Sequence, residues 1–167
     1  MSKRREGETW KEYRAPNDRV SLEIPSEWTA EEQAEFGVLS AVGGAACIAV
    51  ATFVRPRATL ADFAEAKFRV EDYYRARTGR VTIRGAGWEG FEQAFEGHAP
   101  EDPTPTLCRI SCMQGEELFV SVTLYTSPEL YGKSQELFDE IRSSLRIHAV
   151  DKPWWRFWGR KGASDGR

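Results

Sequence analysis

Apolar and polar positions alternate most regularly between Thr106 and Thr126. Cys108, Ile110 and Cys112 fall on one strand face, and Leu118, Val120, Val122 and Leu124 on one face of a second strand. Met113, Gln114 and Gly115 are read as the turn between them, setting Ile110 opposite Leu118 and Cys108 opposite Val120, with Gly115 at positive φ. After Ser127 the period becomes helical. Leu130, Ser134, Leu137, Phe138, Ile141 and Leu145 make one stripe, while Lys133, Glu136, Asp139, Glu140 and Arg142 make the wet side. Ser127 stands as the N-cap, Pro128 loses nothing by lacking an N–H in the first turn, and Glu129 meets the positive end of the dipole. The spacing predicts a helix over 128–145.

Upstream, two short strands flank a turn at Pro16, Asn17 and Asp18, and Val20, Leu22 and Ile24 alternate inward. Residues 29–35 are acidic and read as a loop, with Thr29 and Glu32 allowing one helical turn. A strand follows from Phe36, then a turn at Gly43 and Gly44. The run from Cys47 to Val54 is apolar on both faces, as a central strand would be. Thr59 and Asp62 form a capping pair for a helix predicted over 60–77, with Leu60, Phe63, Ala64, Phe68, Val70 and Tyr74 as its apolar stripe and Gly79 as its stop. Two further strands lie on either side of Gly85 and Gly87, and residues 97–106, with three prolines, read as a surface loop. Adjacent strands in runs predict an antiparallel sheet. The expectation is an α+β fold, an α/β/α sandwich with a twisted sheet of about six or seven strands. Cys47, Val50, Phe63, Ile110, Val120, Leu137 and Ile141 are its predicted core.

A chain of 167 residues suits a single domain. Its division is a flexible segment 1–8, a domain 9–147 and a tail 148–167. The net charge of −3 is uneven: residues 151–167 carry five basic and two acidic residues, a balance of +3, leaving −6 on the rest. An acidic body argues against nucleic acid as a partner. The N-terminus is basic but lacks an apolar stretch behind it, which points to the cytoplasm. Cys108 and Cys112 would lie about 13 Å apart along a strand, too far for a disulfide.

Candidate chemistry is sparse. The glycines of GAGWEG at 85–90 match a dinucleotide fingerprint in letters but open no helix and have no acidic residue about 20 positions on, so they read as a turn. His98 and His148 lack second ligands at metal spacing and read as solvated. The cysteines read as buried structural thiols. Glu89, Glu92 and Glu96 read as a solvated rim of one strand. No catalytic residue, cofactor or metal is expected.

The opening YRAPNDRVSLEIPSEW, with its turn from Pro25 to Trp28, and the closing SVTLYTSPELYGKSQELFDEIRSSLRI resemble the PsbP-like and DcrB-like superfamily, which includes Mog-type Ran-binding factors. The resemblance spans about residues 9–147. It implies the sandwich fold and roles played through protein surfaces: photosystem accessory subunits, GTPase-release factors, and adaptors for secretion effectors. The function expected is therefore a non-enzymatic protein-binding module, an adaptor or chaperone, with an immunity protein or a small enzyme as alternatives. Phe119 and Tyr125, on the strand face opposite Val120, are candidate partner-binding residues unless a helix covers them. Trp154, Trp155, Phe157 and Trp158 are the others, clustered within about 160° of a helical wheel with Arg156 and Arg160 opposite. Such a short helix needs a surface: the protein's own body, a partner, or an anionic membrane for weak peripheral contact. Trp154 and Trp158 are expected to be partly buried and residues 162–167 disordered.

Overall fold

The computed structural model describes residues 7–15, 18–33, 36–54, 58–70 and 73–149, so the expectations for the aromatic tail lie outside the described residues. The element order is β1 (Trp10–Arg14), β2 (Val20–Pro25), β3 (Thr29–Gln33), β4 (Phe36–Ser40), β5 (Ala46–Val54), α1 (Leu60–Phe68), β6 (Tyr74–Ala76), β7 (Val81–Gly85), β8 (Trp88–Ala99), β9 (Asp102–Gln114), β10 (Leu118–Thr126), α2 (Pro128–Ser143) and β11 (Arg146–Ile147). The main sheet has eight strands in the order β3-β4-β5-β10-β9-β8-β6, with β7 also on β8, and a second sheet of three is ordered β1-β2-β11. Every pairing is antiparallel.

Directly opposed residues share a face, so the register assigns each side chain to a side. One face carries Leu39, Ile48, Val50, Met113, Val120, Val122 and Leu124, packed with Phe138 and Ile141 of α2 and with Val20, Leu22 and Ile24 of the small sheet. The opposite face carries Phe95, Cys108, Ile110, Cys112 and Phe119 beneath Phe63, Ala64 and Phe68 of α1. The result is the expected α/β/α sandwich, with more strands than the alternation alone revealed.

Several local expectations give way. β9 and β10 pair with Met113 opposite Val120 and Ile110 opposite Thr123. Gly115 donates its N–H to the Leu118 carbonyl at 2.9 Å, so Glu116 and Glu117 form the loop. Gly115 is not among the residues with positive φ; a Cβ there would lie 2.7 Å from Ile147 Cδ1, which explains the glycine instead. The cysteine face and the Leu118–Leu124 face therefore look in opposite directions. Residues 29–33 form an exposed edge strand, β3, in place of a loop or helical turn. The segment 97–106 continues the β8–β9 hairpin as an arm, and Pro103 and Pro105 are tolerated because β10 ends opposite Leu107 and leaves one edge of β9 unpaired there.

The first helix stops at Phe68, well short of 77. Tyr74–Ala76 turn extended and pair with Phe95–Gly97, because the long β8 offers an open edge that outbids further helix for an aromatic, Arg-rich segment. Its start is as expected: Thr59 accepts from the Asp62 amide while the Asp62 carboxylate accepts from the Thr59 amide, a complete capping box. At α2, Ser127 occupies the N-cap position without a side-chain cap bond, and Pro128 follows it. Within the predicted core, Cys47 and Leu137 are only half-buried, while Tyr131 is buried and joins α2's inward side. Gly87 at φ 79 turns the chain between β7 and β8, and a Cβ on Gly85 would lie 2.1 Å from the Trp88 ring. GAGWEG is thus a hairpin turn with room cut for an indole.

Candidate protein-binding surface

The most conspicuous polar cluster is buried between the main sheet and α2. Glu92, expected on a solvated rim, is 6% exposed. Its carboxylate accepts from Ser111 Oγ at 2.6 Å, from Arg109 Nε at 2.8 Å, and from Arg142. Arg109 and Arg142 also reach Asp139, and the Arg109 guanidinium lies 4.8 Å above the Phe138 ring. Arg142, expected to be wet, is therefore largely buried. Desolvation pushes the Glu92 carboxyl up, but the Ser111 hydrogen bond and the charges of Arg142 and Arg109 outweigh it and hold it below the usual range. Two guanidiniums answer two carboxylates and so bind α2 to the sheet, although Arg142 Nε is buried with no hydrogen-bond partner and the Asp139 side chain is half exposed.

The other candidate groups are equally occupied. Burial pushes the Cys108 and Cys112 thiols up to about 12, far from the thiolate that nucleophilic chemistry needs. His98 is exposed; its ring Nδ1 donates to the Ala99 carbonyl at 2.8 Å and its ring lies 5.6 Å from that of Tyr73. His148 is half-buried, not solvated: its Nε2 is 2.7 Å from Ser21 Oγ and its backbone is paired with Arg19. Among the described residues no carboxylate bonds to its ring, so the third member that would orient a Ser–His pair is missing. A cleft of about 420 Å³ between the small sheet and the end of α2 is lined by Trp10, Glu12, Glu23 and Arg146 among others. Among the described residues no group of three or more His, Cys, Asp or Glu side chains is placed to hold a metal.

Among the described residues, the part of the α1 face beyond the helix is partly exposed at Phe36 and Tyr125, while Ser121 and Thr123 within it are buried. Helix α1 spans nine residues and stands over β8, β9 and the near end of β10, where Phe63 stacks on Phe119 at 4.7 Å. Phe119 is 0% exposed, so its candidacy as a docking residue fails: it is core beneath α1. Tyr125, six positions along the same strand face, lies beyond the helix and is 39% exposed, the one residue of β10 that is exposed. Desolvation, with smaller contributions from Cys108, Tyr74 and Cys47, still pushes its phenol up to about 12, so it presents a neutral hydroxyl.

Register extends this open area across β5 and β4. Ala51 stands opposite Ser121 and Phe36, Ala49 opposite Thr123 and Val38, and Cys47 opposite Tyr125 and Ser40. Phe36 is 36% exposed, and Val38, Cys47, Ala49, Ala51 and Phe53 are half-buried. Ala49 and Ala51 place small side chains between Val38 and Phe36 of β4 and Thr123 and Ser121 of β10. Beyond β4, the edge strand β3 places Glu31 on the same face opposite Val38. At the other margin, Lys67 Nζ sits 4.3 Å from the Phe53 ring centroid. Sequence alternation put Tyr125 on this face, and the nine-residue α1 ends short of it. No described helix is long and apolar enough to cross a membrane.

No protein-family model matches the sequence, and no curated protein does either. Solved structures do match. Cyanobacterial PsbP (CyanoP) from Synechocystis is similar with a TM-score of 0.63 and 13% identity, over 84% of this chain and 93% of its own. The Ran-binding protein Mog1p of Saccharomyces cerevisiae is similar with a TM-score of 0.55 and 9% identity, over 84% and 96%. LpqN, involved in cell envelope biogenesis of Mycobacterium tuberculosis, is similar with a TM-score of 0.60 and 7% identity, over 84% and 91%. The antiparallel topology and these likenesses show that this chain shares the fold of PsbP and Mog1p.

Proposed function

We propose that this chain is a non-enzymatic protein-binding module, an adaptor or chaperone of the cytoplasm, formed by a domain over 9–147 with 148–167 as an appended tail. The observation that carries this reading is the partly exposed α1 face, where Phe36 and Tyr125 are exposed and Val38, Ala49 and Ala51 are half-buried on one side of the sheet. A contiguous apolar surface of this kind marks a place where another polypeptide packs. The Ran-binding protein Mog1p, built on the same fold, supports a protein as the partner class. Glu31 at the rim favours a partner with basic residues beside its apolar ones.

A photo-crosslinking residue at position 125 tests the reading against one at Lys133, which is exposed on α2. Position 125 should trap one defined protein in cell extract, position 133 should not, and Ala49→Arg should abolish the trap while leaving the thermal midpoint nearly unchanged. Equal trapping at both positions, or trapping untouched by Ala49→Arg, would remove this surface as the binding site.

A further inference from the structure

Resting on the protein-binding reading and deepening it, we infer that the free edge of β3 takes an extended segment of the partner as an added strand, and that this segment carries Lys or Arg at two successive positions. β3 is the outermost strand of the main sheet, pairs only with β4 and is exposed at all five residues. The hydrogen bonding beside it fixes which backbone groups look outward. Ala41 donates its N–H to the Ala46 carbonyl at 3.0 Å, so alternation along β4 turns Leu39 and Gly37 toward β5 and Ser40, Val38 and Phe36 toward β3. Opposite those three, Thr29, Glu31 and Gln33 bond inward, which leaves the N–H and C=O of Ala30 and Glu32 on the open edge. The Trp28 carbonyl, next in that outward series, is already held by Lys11 Nζ. An added strand therefore docks from Ala30 onward.

Charge names the partner's chemistry. Residues 23–35 hold five glutamates and no Lys or Arg. Register puts Glu31 on the α1 face opposite Val38 and Glu32 on the α2 face opposite Gly37, so an added strand meets a carboxylate on either side, and two adjacent basic residues answer both. Among the described residues neither glutamate belongs to an ion pair. Beside Glu32 the Tyr13 hydroxyl lies over Gly37, buried and without a hydrogen-bond partner among the described residues, so a cation drawn to Glu32 also meets a phenol oxygen with no donor on it. The sheet's other margins are less receptive. The far side is broken into β6 and β7, and its arginines are already matched, Arg75 and Arg77 by Glu96 and Arg80 by Glu65. Where β9 runs on past β10, Pro103 and Pro105 remove two donors. β3 has no proline and no register shift, and its charge alone turns away a second copy, since two such edges would set glutamates against glutamates.

The test is an amide-resolved magnetic resonance titration of the intact chain with an acetylated Thr-Val-Lys-Arg-Val-Thr peptide. Hydrogen exchange at Ala30 and Glu32 should slow by about tenfold or more at saturation, while Glu31, whose N–H already bonds across to β4, changes little. Charge attraction without strand pairing does not produce that alternation. The full-length Glu31→Lys, Glu32→Lys variant should bind this peptide about tenfold more weakly and accept instead its Glu-Glu counterpart, with the thermal midpoint nearly unchanged because both side chains are exposed. Binding without protection at Ala30 and Glu32, equal affinity for the basic and acidic peptides, or protection that grows with protein concentration in the absence of peptide, the mark of a second copy, would each overturn the inference. If the peptide fails to bind while trapping at position 125 persists, the strand addition is lost and the α1 face stands; if the peptide protects Ala30 and Glu32 while trapping fails, the edge stands and the α1 face falls.

Discussion

The two faces of the main sheet are made by the same strands and finished in opposite ways. The α2 face is closed by a 16-residue helix and the small sheet, and the charges trapped there are matched among Glu92, Arg109, Arg142 and Asp139. The α1 face is covered by nine residues of helix and, among the described residues, is only half-buried over β4 and β5. Both are apolar in sequence, so apolarity does not distinguish core from surface here. The length of the covering helix does, and it divides a single strand, β10, into Phe119 inside and Tyr125 outside.

The largest expected effect breaks the closed face. Glu92→Ala leaves two largely buried guanidiniums short of a carboxylate and should cost about 3–5 kcal/mol in urea unfolding at neutral pH. The pH dependence follows from the lowered carboxyl: the contribution is fully present above the ordinary value of 4.5 and is lost as pH falls through the lower folded-state value. Stability below pH 4.5 should therefore drop more steeply in the native chain than in Glu92→Gln, and parallel curves would show that the carboxylate is not held as described.

The next effect divides the α1 face. Phe119→Ala should cost about 3 kcal/mol or more by opening a cavity under Phe63, whereas Tyr125→Ala, on the same strand face, should cost about 1 kcal/mol or less. Similar losses at the two positions would mean that α1 covers more than its nine residues. The smallest effect concerns the lid itself. Thr59→Ala removes the capping-box hydroxyl and should lower stability by about 1 kcal/mol, with faster amide exchange at Phe63, whose N–H bonds the Thr59 carbonyl.

The legible parts of the sequence are those whose cause is local. The capping box of Thr59 and Asp62 needs four consecutive residues, and the turn at Gly87 needs one positive φ, so both could be read from the chain. Arg109 and Arg142, by contrast, meet Glu92 from positions 17 and 50 residues away, and nothing near Glu92 distinguishes it from Glu89 or Glu96. Tyr125 and Phe119 looked alike because alternation gives a face and not its cover. The β9–β10 turn was misread for a related reason: β10 is buried on both sides, so either register hides apolar side chains.

Sequence alone determined that strands run antiparallel around two helices, that the second begins at Pro128, and that the glycines at 85–90 turn a hairpin instead of cradling a nucleotide. These follow from periodicity, caps and glycine conformation, which act over a few residues. Tertiary structure alone decided where α1 stops, which register β9 and β10 adopt, which acid is buried, and which apolar rows are only half-buried. Those outcomes depend on competition between distant segments: β6 leaves the helix for the edge of β8, and the shortened helix can no longer span the sheet.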